Sequence, residues 1–381
     1  MARALVLGAG FGGIATAVAL RAQLAADDEV ILVDRRDDFA MGLRKIWAIL
    51  GISPIAYGTR SLASLGQQGI TFIQGAVESI DPGRRSATIA GTDYAADALV
   101  VALGASQAMD AVPGLAQFGL NAWDRSGLDH VHGMVDQCRG GRVVIGIFGA
   151  PYSCPPAPYE LALLLSERFD ARGIDAELTV FTPSPIPLPI LGAARSGVIT
   201  ARLEERGISV LVGRSATGVT GNAVHFTEGG PLSYNLLLAV PPHRCPSVLV
   251  EAGLAPAGGW VSVDPATLET VHPGVFAIGD ATVVPLANGL SLPKAGLFAE
   301  REGETVAARI AATFRGESPT ATFDGRGACF MELGDGEAST ISGDFYADPP
   351  DVELSPPSIE QRAAKERFEM ERLARWFGDG A

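Results

Sequence analysis

Short, nearly uninterrupted apolar runs recur along the chain at Ala4–Leu7, Glu29–Val33, Ala98–Leu103, Arg142–Phe148, Glu177–Phe181 and Leu236–Val240. Runs of this length with little polar alternation predict strands buried on both faces, as in a parallel sheet covered by helices. Helical patterns at Gly13–Leu24, Pro158–Phe169 and Ala193–Arg206 alternate with them, so the expected fold is α/β with two Rossmann-like units. From about Phe314 the pattern changes. A strand-like Thr320–Glu332 leads to a link holding Pro349, Pro350, Pro356 and Pro357, and then to a charged helix, Ile359–Phe377. That helix carries an apolar stripe at Ala363, Met370, Leu373, Ala374 and Phe377 and an aromatic tip at Trp376 and Phe377. Docking on the body or on a second copy of the chain is the commoner fate of such a stripe. Dipping the tip into a membrane surface is the other.

The first helix is entered through GAGFGG, in which Gly8, Gly10 and Gly13 satisfy GxGxxG with Phe11 and Gly12 between them. The second strand closes on Asp34. Glycines there let backbone amides at a helix N-terminus approach a pyrophosphate, and the acid can accept from a ribose. This half of the chain therefore predicts an adenine dinucleotide. The second unit departs from that pattern. Its turn reads GAPYSCPPAPYE from Gly149 to Glu160, and its next strand ends in Thr182 with no acid. Both halves of a nicotinamide fingerprint are missing. Cys154 stands close to the start of a helix, whose positive end favours a thiolate and a lowered pKa; a small buried hydrophobe is the alternative.

Two further segments carry a resemblance. Ala98–Leu103 ends in Gly104, and GVFAIGDA (Gly274–Ala281) ends a strand on Gly279 and Asp280. The chain thus resembles the two-dinucleotide-binding-domain flavoproteins. The resemblance implies an FAD domain formed by residues 1–110 and 250–315, an inserted Rossmann-like domain at 111–249, and a C-terminal cap or interface module at 316–381. Asp280 matches the aspartate that binds the ribityl and pyrophosphate region.

Within that group, CPPAPYE (Cys154–Glu160) closely resembles the active-site motif of sulfide:quinone oxidoreductases and of the flavin subunit of flavocytochrome c sulfide dehydrogenase. The resemblance implies that Cys154 faces the flavin and pairs with Cys329, in FDGRGACFMELG, as a redox disulfide. Sulfide would open it, with the persulfide on Cys329. Glu160 matches a carboxylate that takes protons from sulfide, with a solvated first-turn charge as the alternative. Lys294, in LPKAG, matches a lysine near the pyrimidine edge of the flavin, with a surface lysine as the alternative. The loop at Phe39–Leu43 reads FAMGL and lacks the cysteine that attaches FAD in flavocytochromes, so noncovalent FAD is expected. The third cysteine of many quinone-linked members is missing around Asn121–Asp124.

Charge and cysteine usage narrow the partners. A net charge of -14 argues against nucleic acid. The four cysteines, Cys138, Cys154, Cys245 and Cys329, include no CxxC, so no metal site is expected. Cys138, Cys245, His130, His132 and His243 read as structural. A strand beginning at Ala4 leaves no room for an export signal and no run is long enough to span a membrane, so a cytoplasmic location is expected, with peripheral membrane contact through the last helix as an option. The functional expectation is an FAD-dependent enzyme that oxidises sulfide, or a related small sulfur compound, and reduces a quinone. A cytochrome c acceptor, a type II NADH dehydrogenase and a nonenzymatic redox sensor are the alternatives, and a homodimer is compatible with each.

Overall fold

A computed structural model describes residues 1–378. The chain opens with β1 (Arg3–Leu7), α1 (Phe11–Gln23), β2 (Glu29–Asp34), the short α2 (Arg44–Ile49), β3 (Thr71–Gln74) and β4 (Ala98–Val101). The four strands pair in parallel, with Leu5 opposite Ile31 on one side and Leu99 on the other. Alternate side chains feed two cores: Ala4, Val6, Leu32 and Val100 enter one, and Leu5, Leu7, Val33 and Leu99 the other. Both faces are covered, which is why the sequence shows apolar runs rather than alternation.

A second parallel sheet follows from β5 (Leu120–Asn121), β6 (Gly141–Ile147), β7 (Ala176–Phe181), β8 (Ser209–Leu211) and β9 (Leu236–Val240), in the order β5-β9-β6-β7-β8. Between β6 and β7 runs α3 (Ala157–Ala171). Two linkers join the sheets, and they pair antiparallel at Ser106–Gln107 and His243–Arg244. β10 (Val275–Ala277) then returns to the first sheet beside β4. The following α4 (Gly296–Phe314) packs on α1 at very close range: a Cβ at Gly303 would lie 2.6 Å from the Gly12 carbonyl oxygen.

The C-terminal part differs from expectation in two ways. In place of a single strand from Thr320, the chain forms an antiparallel sheet of β11 (Arg326–Gly334), β12 (Glu337–Asp344) and β13 (Asp351–Leu354). β13 lies between the two proline pairs; as an edge strand it tolerates neighbours that cannot donate to a ladder. The second difference is the phase of α5 (Ile359–Phe377), whose buried positions are Lys365, Glu369, Leu373, Trp376 and Phe377, while Met370 is 60% exposed. Trp376 packs on Phe11 with ring centroids 5.4 Å apart, and Phe377 on Phe39 at 6.0 Å. The aromatic tip is therefore docked on the body of the protein, which overturns the membrane-dipping option for those residues. Among the described residues no helix is long and apolar enough to cross a membrane.

Candidate functional site

One cavity of about 330 Å³ lies where the carboxyl ends of β1 and β6, the N-terminus of α4 and the C-terminal sheet converge. The glycine turn forms one wall. A Cβ at Gly8 would lie 2.3 Å from the Ala102 carbonyl oxygen and one at Gly13 only 1.7 Å from that of Gly8, so these two glycines permit the turn itself. Gly10 is different: a Cβ there would meet nothing within 4 Å and would project into open space. Such a cradle, which a side chain would fill, fits the pyrophosphate of FAD at the start of α1. Gly12, by contrast, is there for packing, against Ile278 and Ala299. Asp34 holds the turn, accepting from the Ala9 backbone N–H at 2.7 Å and from that of Arg36 at 2.9 Å.

The opposite wall is built around β10. Gly104, Gly279 and Asp280 line the cavity, and the Asp280 carboxylate accepts from the Ser153 hydroxyl, which ties the cysteine turn to the first sheet. Lys294 is buried, so the surface alternative for it fails. Its ammonium donates at 2.7 Å to the carbonyls of both Asp280 and Thr282 and sits 3.6 Å from the centre of the Trp260 ring. Burial brings its pKa down to about 8, against the pull of Asp280 and Glu302. Phe11 also lines the cavity, against Gly296 at the start of α4.

Glu302, on α4, is 2% exposed and accepts from the Gly279 N–H at 2.6 Å. Burial, with Asp280 nearby, pushes its pKa up to about 7. In the unfolded chain it ionises near the ordinary value of 4.5. Folding therefore takes up a proton between those two values, and stability falls through that window by about 3 kcal/mol. Glu302→Gln removes this loss. Urea midpoints measured at about pH 5 and about pH 8 should diverge less for the variant than for the wild type; equal divergence would refute the assignment.

Cys154 and Cys329 both line the cavity, the first from the turn before α3 and the second from β11. Both are free thiols in this structure. The Cys154 N–H donates to the Lys294 carbonyl at 2.7 Å, and its backbone adopts a left-handed φ of 56°. The expected lowered thiol pKa is not found. Burial, reinforced by the Glu160 carboxylate, pushes Cys154 up to about 12, and burial beside Cys154 raises Cys329 as well. A helix terminus contributes only a partial charge, which desolvation outweighs.

Glu160 is 2% exposed, so the solvated alternative fails. It pairs with Lys365 of α5 and accepts from the Glu332 backbone N–H at 3.2 Å. Lys365 also donates to Glu332 at 2.9 Å, and that carboxylate is completed by the Trp47 indole at 2.6 Å and by Arg362 at 3.1 Å. Burial first and the second carboxylate next raise the pKa of Glu160, against the opposing Lys365.

Lys45, Lys365, Trp123, Phe330 and Phe368, which line the cavity, were not anticipated from sequence, nor were Glu332 and Glu302 behind it. A signal was present. The chain contains only three lysines, Lys45, Lys294 and Lys365, among 29 basic residues, and all three line this cavity. The histidines and remaining cysteines hold no such position. His132 Nδ1 lies 3.0 Å from the Ile49 carbonyl, His243 Nδ1 lies 2.9 Å from that of Pro241, His130 is exposed, and Cys245 is buried in the core. Among the described residues no cluster suited to a metal ion is found.

The turn before α3 is closed by the Tyr152 hydroxyl, which donates to the Pro155 carbonyl at 3.0 Å, and Tyr159, in the first turn of α3, ties the helix to the loop after β7 by donating to the Pro187 carbonyl at 2.6 Å. No glycine cradle comparable to Gly10 exists there. A protein-family model described as pyridine nucleotide-disulphide oxidoreductase matches residues 2–306. Mitochondrial sulfide:quinone oxidoreductase of Mus musculus is 23% identical over 365 residues, covering 91% of this chain and 78% of that protein. Sulfide-quinone reductase of Aquifex aeolicus is 26% identical over 385 residues, covering 91% and 83%. An NADH dehydrogenase-like protein of Mycobacterium tuberculosis is 26% identical over 295 residues, covering 74% and 72%. Among solved structures, sulfide:quinone oxidoreductase of Aquifex aeolicus superposes with a TM-score of 0.91 at 23% identity, over 99% of this chain and 92% of that one.

Proposed function

The chain belongs to the pyridine nucleotide-disulphide oxidoreductase family, and within it we propose an FAD-dependent enzyme that oxidises sulfide and reduces a quinone. One observation carries the reading: two cysteines from different parts of the chain line the same cavity as the glycine cradle and Asp280. In this reading residues 1–110 and 250–315 form the FAD unit, 111–249 the second unit and 316–381 the cap. Gly10, Gly104, Gly279 and Asp280 hold FAD noncovalently, with Asp34 at its ribose and Lys294 beside it. FAD when bound accepts two electrons and passes them to quinone.

The working oxidised state is a Cys154–Cys329 disulfide. Hydrosulfide attacks the Cys329 sulfur; the S–S bond between the cysteines breaks, a new one forms to the incoming sulfur, and Cys154 leaves as a thiolate. Cys329 then carries the persulfide, and Cys154 holds the electron pair released by the cleavage, at a place where FAD, when bound, would be the acceptor. Glu160, whose proton affinity is raised by burial, accepts the proton that hydrogen sulfide loses on becoming hydrosulfide, before the attack. Phe330 and Phe368, with ring centroids 5.5 Å apart, give the cavity an aromatic wall suited to a quinone ring. A quinone acceptor implies peripheral membrane association, proposed here on the cytoplasmic face and through surfaces other than the buried Trp376–Phe377 tip.

Steady-state turnover tests the acceptor. Sulfide-dependent reduction of a soluble quinone analogue is expected, with cytochrome c reduced far more slowly. The reverse order would favour a flavocytochrome-type acceptor. A relative named NADH dehydrogenase-like favours a second reading, direct oxidation of NADH, and the turn closed by Tyr152 counts against it.

A further inference from the structure

The three cavity lysines differ in how their charges are held. Lys294 is fixed by two carbonyls under the Trp260 ring. Lys365 is compensated by Glu160 and Glu332. Lys45, on α2, makes one hydrogen bond, to the Trp123 carbonyl at 2.8 Å, and no ion pair among the described residues. Of its three N–H donors, two remain for the cavity. Lys45 and Cys154 line the same cavity; burial lowers the pKa of Lys45, Cys154 pulls it back up, and the lysine in turn lowers that of the thiol. The other charged groups that act on Lys45 are Arg36, Asp124 and Asp280. A shielded ammonium without a counter-ion is costly, and such groups cluster where an anion is to be received.

We propose that Lys45 is the anion-binding group of this cavity: it receives hydrosulfide and then holds the negative charge that appears on Cys154. The inference rests on the sulfide reading above and deepens it. Charge balance explains why one fixed cation suffices. Hydrosulfide brings one negative charge; when the disulfide opens, the new sulfur and its proton stay on Cys329 and the negative charge moves to Cys154. The cavity contains one mobile anion before the step and one after it. Without Lys45 that charge would be left to Lys365, already shared between Glu160 and Glu332, in a shielded site where burial and Glu160 hold the thiol in its protonated form.

Alkylation of the reduced, FAD-loaded protein tests this without turnover. Iodoacetate is an anion and iodoacetamide is neutral, so the ratio of their rates at Cys154, assigned by peptide mass spectrometry, reports an anion site rather than general exposure. Lys45→Met should lower that ratio about tenfold while the flavin spectrum is kept, Lys45→Arg should retain most of it, and half-saturation for sulfide should rise about tenfold in Lys45→Met. An unchanged ratio in Lys45→Met would overturn the proposal. So would failure of both reagents to reach Cys154, because the sulfur would then not face the site. If the ratio falls as expected and sulfide still does not reduce the flavin, the anion site stands and the sulfide reading fails.

Discussion

Cys154→Ser is expected to keep its FAD and to lose reduction by sulfide. The substitution leaves the cradle at Gly8, Gly10 and Gly13 untouched, and the Cys154 side chain makes no hydrogen bond among the described residues that the fold depends on; its turn is held through the backbone, to Lys294 and Ala157. What disappears is the sulfur that, in the proposed reaction, forms the disulfide and then carries the electron pair. The expected loss of sulfide-dependent flavin reduction is at least about a thousandfold, as when one member of a catalytic unit is removed. Flavin absorbance under anaerobic sulfide reads it directly, with the bound flavin spectrum as the control for folding. Unchanged reduction in the serine variant would show that the thiol is not part of the path.

Lys365→Met is expected to be strongly destabilising. It leaves Glu160 and Glu332, both almost fully buried, facing each other without their shared cation. Breaking a buried ion cluster in this way costs about 3–5 kcal/mol. Part of the loss should return in acid, because protonation of Glu160 relieves the repulsion, and part in the double variant Lys365→Met/Glu160→Gln, which carries one carboxylate fewer. Urea midpoints of the two variants at neutral pH measure this. Equal midpoints for the single variant and the wild type would mean that the cluster contributes nothing to stability.

Much of the fold was legible because its signals are local. The apolar runs at Ala4–Leu7 and Leu236–Val240, the glycine turn and Asp34 each declare themselves within a few residues, and the structure places strands, turn and helix within one to three residues of the reading. Cys154 was legible for the same reason: prolines and a thiol replaced glycines at a strand-to-helix turn. The C-terminal region was less so. The buried face of α5 contains Lys365 and Glu369 because their partners, Glu160, Glu332 and Arg44, come from distant parts of the chain. A periodicity argument treats such charges as solvent-facing: it finds Leu373 and Phe377, which are buried, but takes in Met370 and leaves out Lys365. The same blindness hid Lys45, whose place in the cavity depends on the fold and not on its neighbours in sequence. The thiol pKa was misjudged because helix position is visible in a sequence and desolvation is not.

In the proposed reaction sulfur, and not a nicotinamide, delivers electrons to this flavin. Purified protein held anaerobically in two cuvettes, one given sulfide and the other NADH, tests it most directly. Rapid bleaching of the flavin absorbance by sulfide, and little or none by NADH, is expected; bleaching by NADH with no response to sulfide would show that sulfur is not the donor.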